Sequence, residues 1–193
     1  MTANLSRLLN ALGLVAIDTV LVLAFADQLW FRDLPCPICI LQRAGFIAAG
    51  FGVALNLIFG PRPSHYGLAI FGAVAGGVIS TCQILEHIVP GTGSYGNAIF
   101  GLHLYTWALI MFVMIIVGSA VMLLFERQFA AAELLPARLK VLEVLAVALL
   151  AALALGNVIS TLAICGAGLC PENPGGYLIF NDSLSLTLLG ETP

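Results

Sequence analysis

Long apolar stretches separated by short polar segments run through most of this chain. They cover residues 8–31, 38–60, 67–89, 104–125 and 141–164. A helix rises about 1.5 Å per residue, so about 20 apolar residues cross the hydrocarbon core of a bilayer. The pattern therefore predicts five membrane-spanning helices, packed as one compact bundle over residues 1–164. A polar tail punctuated by proline and glycine, residues 165–193, follows the last span.

The composition agrees with an all-α membrane protein. Hydrophobic residues make up 61% of the chain and charged residues 9%, whereas about 25% of a soluble domain is charged. There is no run of basic residues, which excludes nucleic acid as a partner. Residues 24–26 have the pattern of a signal-peptide cleavage site, but the apolar stretch continues beyond them and Asp18 interrupts it. We therefore expect the first span to remain uncleaved.

Lys and Arg residues are distributed unevenly between the two ends of the predicted spans. With the N-terminus in the cytoplasm, the cytoplasmic side carries Arg7, Arg62, Arg127, Arg138 and Lys140. Arg32 and Arg43 fall at the other face. Because cytoplasmic loops carry the excess of basic residues, this bias predicts a cytoplasmic N-terminus. An odd number of spans then places the tail, residues 165–193, on the extracytoplasmic side.

Four cysteines form two close pairs, Cys36 with Cys39 and Cys165 with Cys170. The predicted orientation puts both pairs in the same oxidising compartment, where disulfides persist. In the chain-entropy model, a disulfide across so short a loop stabilises a fold only slightly. A structural disulfide stays open as the alternative, but two such pairs facing one compartment favour a dithiol relay.

The Cys36–Cys39 pair lies at the predicted start of the second span, where Pro35 and Pro37 flank Cys36 and the apolar run begins at Ile38. Proline suits the first turn of a helix, and a helix N-terminus favours the thiolate form of cysteine. Arg43 follows one turn deeper on the same helix face. Two interpretations of Arg43 stay open. Its side chain extends to the aqueous interface, or it binds an oxygen-bearing ligand lodged between helices near Cys39.

The run PCPICILQR at residues 35–43 resembles the signature of the DsbB family. These are inner-membrane proteins that reoxidise a periplasmic thiol oxidase and pass the electrons to quinone. QLWF at 28–31, QILEHIVP at 83–90 and IFGLHLYTW at 99–107 are similar to segments that accompany this signature, so the similarity covers about residues 25–125. The resemblance implies a four-helix transmembrane bundle with a quinone at its periplasmic rim. This chain adds a fifth transmembrane helix to it.

The resemblance also implies roles for individual residues. Cys36 and Cys39 would be the quinone-facing redox pair, with Cys39 as the sulfur that contacts the quinone. Arg43 would hold the quinone, either ubiquinone or menaquinone, and His87 would lie near the same pocket. The implied partner is a periplasmic DsbA-like thiol oxidase, or a dedicated client in its place. The chain would be a multi-pass protein of the bacterial inner membrane, with its tail in the periplasm.

The chain departs from the family in its second cysteine pair. Members of the best-known branch carry this pair between the third and fourth spans, where residues 90–103 of this chain contain no cysteine. Cys165 and Cys170 follow the fifth span and face the compartment in which that pair is needed. We hypothesise that they replace it. They would exchange with the soluble partner and pass its electrons to Cys36–Cys39.

Two further reactive groups lie within the predicted spans. We expect Cys82 to be a buried free cysteine that packs as a small hydrophobe, with a part in the relay as the lesser alternative. Asp18, near the middle of the first span, is expected to be protonated or hydrogen-bonded between helices, with a proton route as the lesser alternative. Small residues at four-residue spacing on the second and third spans, among them Gly52 and Gly72, predict a tightly packed bundle. Self-association and internal packing both stay open.

A metal-handling or transport protein is the main alternative function, since soft thiolates and His87 could hold Cu(I) or Zn. The spacing argues against it, because no set of His and Cys residues converges unless the tail folds over the bundle. We therefore expect no metal site. A purely structural bundle, the third possibility, would tolerate serine at Cys36 or Cys39.

Overall fold

The computed structural model describes residues 2–30, 34–89, 91, 100–132, 140–166, 168, 170 and 176–179. Among them, five helices are long and apolar enough to cross a membrane. They are α1 (Ala3–Trp30), α2 (Pro37–Phe59), α3 (Pro63–Glu86), α4 (Leu104–Leu123) and α6 (Val141–Cys165). A short helix, α5 (Arg127–Ala132), precedes α6. The predicted fold class, a helical membrane bundle with five spans, is confirmed.

The third span differs from its predicted bounds at both ends. Helix α3 begins at Pro63 rather than at residue 67, and it ends at Glu86, before the predicted end at residue 89. Proline is well suited to the first helical turn, where its missing N–H group has no helical partner to lose. The helix therefore extends into polar residues that the hydropathy pattern excluded. Helix α5 was also not predicted, because its six residues carry no long apolar run.

Helix α2 is the central element of the bundle. It contacts α1, α3, α4 and α6, while α1 also packs against α6 and α3 packs against α4. The hydrophobic core follows this arrangement: Phe46 on α2 stacks on Phe112 of α4 with ring centroids 4.0 Å apart, and Leu14 on α1 is fully buried. The central position of α2 is important for the site, because the Cys36–Cys39 pair lies at its N-terminus.

Close contact between α2 and α3 depends on glycine. A Cβ atom added at Gly52 would lie 2.5 Å from the backbone nitrogen of Ala69, and one at Gly72 would lie 2.6 Å from that of Ala49. Any side chain at these positions would push the two backbones apart, as in other membrane helix pairs joined through small residues. The small residues at Gly52 and Gly72 therefore serve internal packing between α2 and α3. This packing fixes α3 beside the start of α2.

Hydrogen bonds between buried polar side chains join four helices at one end of the bundle. Ser6 Oγ donates to Gln128 Oε1 at 2.6 Å, and Asn10 Nδ2 donates to the hydroxyl of Tyr66 at 2.7 Å. Asn56 Nδ2 donates to Asn10 Oδ1 at 3.0 Å. The cysteine end of the bundle is the one that holds the N-terminus of α2 and the C-terminus of α6. The hydrogen bonds just described lie at the other end, which we call the opposite end.

An ion pair also joins α1 to α6 at the opposite end. Arg7 Nε donates to Glu143 Oε1 at 2.7 Å, and Arg7 Nη2 donates to Glu143 Oε2. The same carboxylate accepts from the backbone N–H of Lys140, which caps the start of α6. A bidentate pair of this kind fixes geometry as well as charge.

The division into a bundle over residues 1–164 and a tail over residues 165–193 stays a prediction. Helix α6 continues to Cys165, the first residue of the predicted tail. Residues 171–175 and 180–193, which include the turns predicted after Cys170, lie outside the described residues.

Candidate active site

The first cysteine pair caps helix α2. Cys36 is the N-cap residue, with extended backbone (φ −65°, ψ 162°), and Pro37 is the first helical residue. The backbone N–H of Cys39 donates to Cys36 Sγ at 3.1 Å, and the two cysteines form a disulfide. Cys36 is buried and Cys39 is half-buried. The pair therefore lies at the N-terminus of a span, as the prolines predicted.

Gln83 on α3 contacts both sulfur atoms of this pair. Its Nε2 lies 3.5 Å from Cys36 Sγ and 3.6 Å from Cys39 Sγ, and its Oε1 accepts from Gln42 Nε2 at 2.7 Å. Gln83 is 1% exposed. The sequence interpretation did not single out either glutamine. The signal that could have identified Gln83 is a polar amide inside an apolar run, one helical turn before His87.

Arg43 is buried, and its described contacts are with α1. Nη1 donates to Gln28 Oε1 at 2.6 Å, and Nη2 donates to the carbonyl of Ala24 at 2.7 Å. The guanidinium carbon lies 4.8 Å from the ring centroid of Phe25, and Asp27 is close enough for an electrostatic interaction. Because the side chain is 7% exposed, the interpretation that it extends to the aqueous interface is wrong.

The second cysteine pair lies at the same end of the bundle as the first. Cys165 is the last residue of α6 and forms a disulfide with Cys170. Cys165 packs in a small hydrophobic cluster with Ile40 of α2, and Cys170 and Leu34 lie against that cluster. Ile40 directly follows Cys39 in the chain. The described start of the tail therefore packs on the segment that carries Cys36–Cys39.

A chain of hydrogen bonds connects the tail to Arg43. Gln28 Nε2 lies 3.3 Å from the hydroxyl of Tyr177 and 2.8 Å from Ser160 Oγ, while Gln28 Oε1 accepts from Arg43. One buried glutamine on α1 therefore contacts α2, α6 and the tail. The spacing of residues could not predict this, because Gln28, Arg43 and Tyr177 are far apart in the sequence.

His87 lies on the α3 and α4 side of the site. Its Nδ1 is 2.9 Å from the carbonyl oxygen of Gln83, and its ring stacks on Tyr105 with centroids 5.4 Å apart. Tyr105 stacks in turn on His103. A carbonyl oxygen can only accept, so Nδ1 carries the hydrogen and Nε2 keeps a lone pair in the neutral ring. In their described contacts Arg43 faces α1 and His87 faces α3 and α4, so these contacts do not bring the two predicted quinone-binding residues together.

The expectation that Cys82 is buried is wrong. Cys82 is a free cysteine and is exposed on the surface of α3. Successive residues of a helix point about 100° apart, so the side chain beside inward-facing Gln83 points outward. The Cys82 side chain therefore points away from the disulfides, so a substitution of Cys82 can serve as a control for substitutions of the paired cysteines.

Asp18 is 2% exposed, and neither of its carboxylate oxygens has a hydrogen-bond partner among the residues described. The expectation of a hydrogen bond between helices is thus not met within the described structure. Asp18 lines a groove of about 310 Å³ between α1 and α6, whose other walls include Val22, Leu145 and Leu149. Apart from Thr19, whose hydroxyl donates to the carbonyl of Val15, the other lining residues are apolar and supply no partner.

Among the residues that the structure describes, no group of three or more His, Cys, Asp or Glu side chains is arranged to hold a metal ion. The cysteines of both pairs are bonded to each other.

These features define a class: a multi-pass helical membrane protein with two disulfides at one end of its bundle. The model of the family described as disulfide bond formation protein DsbB matches residues 6–92. Two relatives named disulfide bond formation protein B, from Xanthomonas euvesicatoria pv. vesicatoria and Xanthomonas axonopodis pv. citri, are each 27% identical over 139 residues. Each match covers 53% of this chain and 81% of the relative. No solved structure matches.

The matched residues 6–92 include the CPIC motif, and this match confirms the resemblance inferred from that motif. The chain is thus a multi-pass helical membrane protein that is similar to proteins of disulfide bond formation. The matched segment contains Cys36, Cys39, Arg43, Gln83 and His87, and it excludes the tail cysteines. The family match begins and ends earlier than the predicted range 25–125.

Proposed function

We propose that this protein is a thiol:quinone oxidoreductase of the bacterial inner membrane that reoxidises a periplasmic DsbA-like partner. The observation that carries this proposal is the placement of two disulfides at one end of the bundle. Cys36–Cys39 caps the N-terminus of α2, and Cys165–Cys170 packs against Ile40 of the same helix. Once one of two adjacent pairs has been reduced, its thiolate can attack the other disulfide, whereas distant structural disulfides cannot exchange in this way.

The proposed exchange begins at the tail. A thiolate of the partner attacks one sulfur of Cys165–Cys170 and forms a mixed disulfide, while the other cysteine leaves as a thiolate. The second thiol of the partner resolves the mixed disulfide, so that the partner becomes oxidised and the tail pair reduced. A tail thiolate then attacks Cys36–Cys39 in the same way. The tail disulfide is restored, and Cys36 and Cys39 become the dithiol.

The residues near Cys36–Cys39 fit a quinone as the next electron acceptor. Arg43 is a buried cation whose two described side-chain hydrogen bonds go to neutral oxygens, those of Gln28 and Ala24. A guanidinium has five N–H donors, so it retains donors and charge for a carbonyl oxygen. Arg43 would hold such a ligand near Cys39. When bound, a quinone supplies an acceptor for two electrons and two protons as the dithiol returns to the disulfide.

His87 is proposed to serve this site through its Nε2 atom. Because Nδ1 donates to the carbonyl of Gln83, Nε2 of the neutral ring can accept a proton and only the protonated ring can donate one there. Stacking on Tyr105 keeps the ring in place. The residue would therefore hold a proton released by the cysteines and give it up again, rather than act as a permanent donor.

The orientation in the membrane is part of the proposal. With the N-terminus in the cytoplasm, the basic residues concentrate on the cytoplasmic side and the cysteine end faces the periplasm. After mild reduction in a Cys82→Ser background, a membrane-impermeant thiol reagent should label Cys165 and Cys170 from outside. Protection of these cysteines in intact cells, with labelling after lysis, would show that the orientation is reversed.

Purified protein tests the activity directly. The wild-type protein, supplied with a reduced DsbA-like partner and a soluble quinone, should convert quinone to quinol as followed by absorbance. Cys36→Ser and Cys39→Ser should each reduce the rate to that without protein. Cys82→Ser is the matched control, because Cys82 is an exposed free cysteine, and it should retain the wild-type rate. Turnover in either Cys36→Ser or Cys39→Ser would refute the proposal.

A further inference from the structure

We propose that Gln83 stabilises the reduced form of the Cys36–Cys39 pair, and that Gln42 is the positioning residue that sets the orientation of its amide. This inference rests on the proposed function only in taking Cys36–Cys39 as a redox-active pair. It concerns how readily that pair is reduced, and it is independent of the electron acceptor.

The contacts of Gln83 are those of a donor aimed at sulfur. One nitrogen, Nε2, lies within hydrogen-bonding distance of both sulfur atoms, at 3.5 Å from Cys36 Sγ and 3.6 Å from Cys39 Sγ. An amide nitrogen carries two hydrogens, so it can serve either sulfur or both. At 1% exposure, Gln83 has no access to bulk water as a competing partner.

The orientation of the Gln83 amide follows from its neighbours. Sulfur atoms of a disulfide carry no hydrogen and can only accept, so the amide must turn its NH₂ group toward them. Gln42 Nε2 donates to Gln83 Oε1 at 2.7 Å, which requires the same orientation. A flipped Gln83 would place its oxygen against the sulfurs and its NH₂ group against another NH₂ group. The sulfur contacts therefore select one orientation of Gln83, and Gln42 supports it by turning its own NH₂ group toward Gln83 Oε1.

Reduction of the disulfide strengthens the hydrogen bonds that Gln83 donates to sulfur. A thiolate concentrates negative charge on one sulfur, and hydrogen bonds to charged acceptors are stronger than those to neutral ones. The backbone N–H of Cys39 already donates to Cys36 Sγ at 3.1 Å, so Gln83 adds a second donor there and a donor to Cys39 Sγ. A neutral amide provides this without the desolvation cost of a second buried cation beside Arg43.

A purely structural role is the alternative, since the Gln42–Gln83 hydrogen bond also joins α2 to α3. The two roles differ in what they change. A structural hydrogen bond alters unfolding, whereas a donor to thiolate alters the thiol–disulfide equilibrium and the reactivity of the thiols. Gln128, a buried glutamine that joins helices at the opposite end, gives a matched control for the structural role.

The test uses the full chain with Cys82, Cys165 and Cys170 replaced by serine, so that Cys36 and Cys39 alone report. The equilibrium with a dithiol buffer, the alkylation rate of the reduced pair and thermal unfolding are measured without quinone. Gln83→Met should shift the equilibrium toward the disulfide and slow alkylation, each by about tenfold, the effect of losing one hydrogen bond to a charged acceptor. Gln42→Leu should act in the same direction by a smaller factor.

Gln83→Glu provides a second variant in case the methionine variant does not fold. It keeps an oxygen for Gln42 and loses the N–H donors, so the pair should again become harder to reduce. Gln128→Leu should lower thermal stability and leave both redox measurements unchanged. The inference is overturned if Gln83→Met, or Gln83→Glu in its place, leaves equilibrium and alkylation at the values of the parent. Because quinone is absent, failure of the proposed acceptor would not affect this result.

Discussion

The two ends of the bundle both contain buried polar side chains, but they use them differently. At the opposite end, Asn10 and Tyr66 bond to each other, and the charged residues Arg7 and Glu143 form an ion pair. At the cysteine end, the amide of Gln83 bonds to sulfur. The described hydrogen bonds of Arg43 go to neutral oxygens, and Asp27 is close enough for an electrostatic interaction.

This difference distinguishes buried polar groups that join helices from buried polar groups that can take part in a reaction. Polar groups that satisfy one another join helices and need no further partner. The Gln83 amide donates to disulfide sulfurs, and the Arg43 guanidinium donates to neutral oxygens. Both groups can therefore stabilise negative charge that is added nearby. Reduction of the cysteines generates such charge at one end of the bundle only.

The largest expected effect distinguishes the roles of the two cysteine pairs at the cysteine end. In the Cys165→Ser, Cys170→Ser double variant, quinone reduction driven by the protein partner should fall to background, because the partner has no disulfide to attack. Reduction driven by a small dithiol should continue, since such a reagent can reach the half-buried Cys39 directly. Both rates are measured as quinol formation. Undiminished turnover with the protein partner would remove the tail pair from the relay.

The next largest expected effect is a difference between substitutions of Arg43 and of Arg7. Arg43→Met should raise the KM for quinone by about 10- to 100-fold, the range for losing a charged hydrogen bond. The thiol–disulfide equilibrium of Cys36–Cys39 should change far less. Arg7→Met, which breaks the ion pair with Glu143, should lower thermal stability and leave that KM unchanged. Equal changes of KM in both variants would mean that Arg43 acts through folding.

A third prediction concerns the opposite end. Asn10→Leu removes hydrogen bonds to Tyr66 and Asn56 and leaves buried partners unsatisfied. The free energy of unfolding should fall by about 1–3 kcal/mol, as measured by denaturant titration in detergent. The folded variant should reduce quinone at the wild-type rate. A loss of rate without a loss of stability would give this network a functional role.

The smallest effect is expected at Asp18. Replacement by leucine removes a buried carboxyl group that has no described hydrogen-bond partner, and should raise the free energy of unfolding by about 1 kcal/mol. Quinone reduction should be unchanged. If Asp18→Leu and Asp18→Asn both slow the reaction in folded protein, the carboxyl group belongs to a proton route.

The sequence predicted the spans well because the length of an apolar run determines whether a helix can cross a bilayer. It also predicted the position of Cys36 at a helix start, since Pro37 favours the first turn. The inward direction of Gln83 and the outward direction of Cys82 were not predicted. A nearly uniform apolar pattern identifies a span without revealing which side faces the other helices.

The partners of Arg43 show a second limit of prediction from sequence. Its spacing from Cys39 gave its depth on α2, but Gln28 and Ala24 belong to another helix. Only the packing of α1 against α2 brings them within hydrogen-bonding distance. The contact between the tail and Ile40 is tertiary in the same sense. Connections of this kind determine the site, and they are absent from local periodicity.

The central claim is that electrons pass from the tail cysteines to the CPIC cysteines. Four variants, each lacking Cys82 and keeping one cysteine of each pair, test it through disulfide formation under mild oxidation. Mass spectrometry of proteolytic fragments identifies the link between residue 36 or 39 and residue 165 or 170. The account predicts that at least one variant forms this intramolecular disulfide nearly completely. Free thiols or intermolecular dimers in all four variants would contradict it.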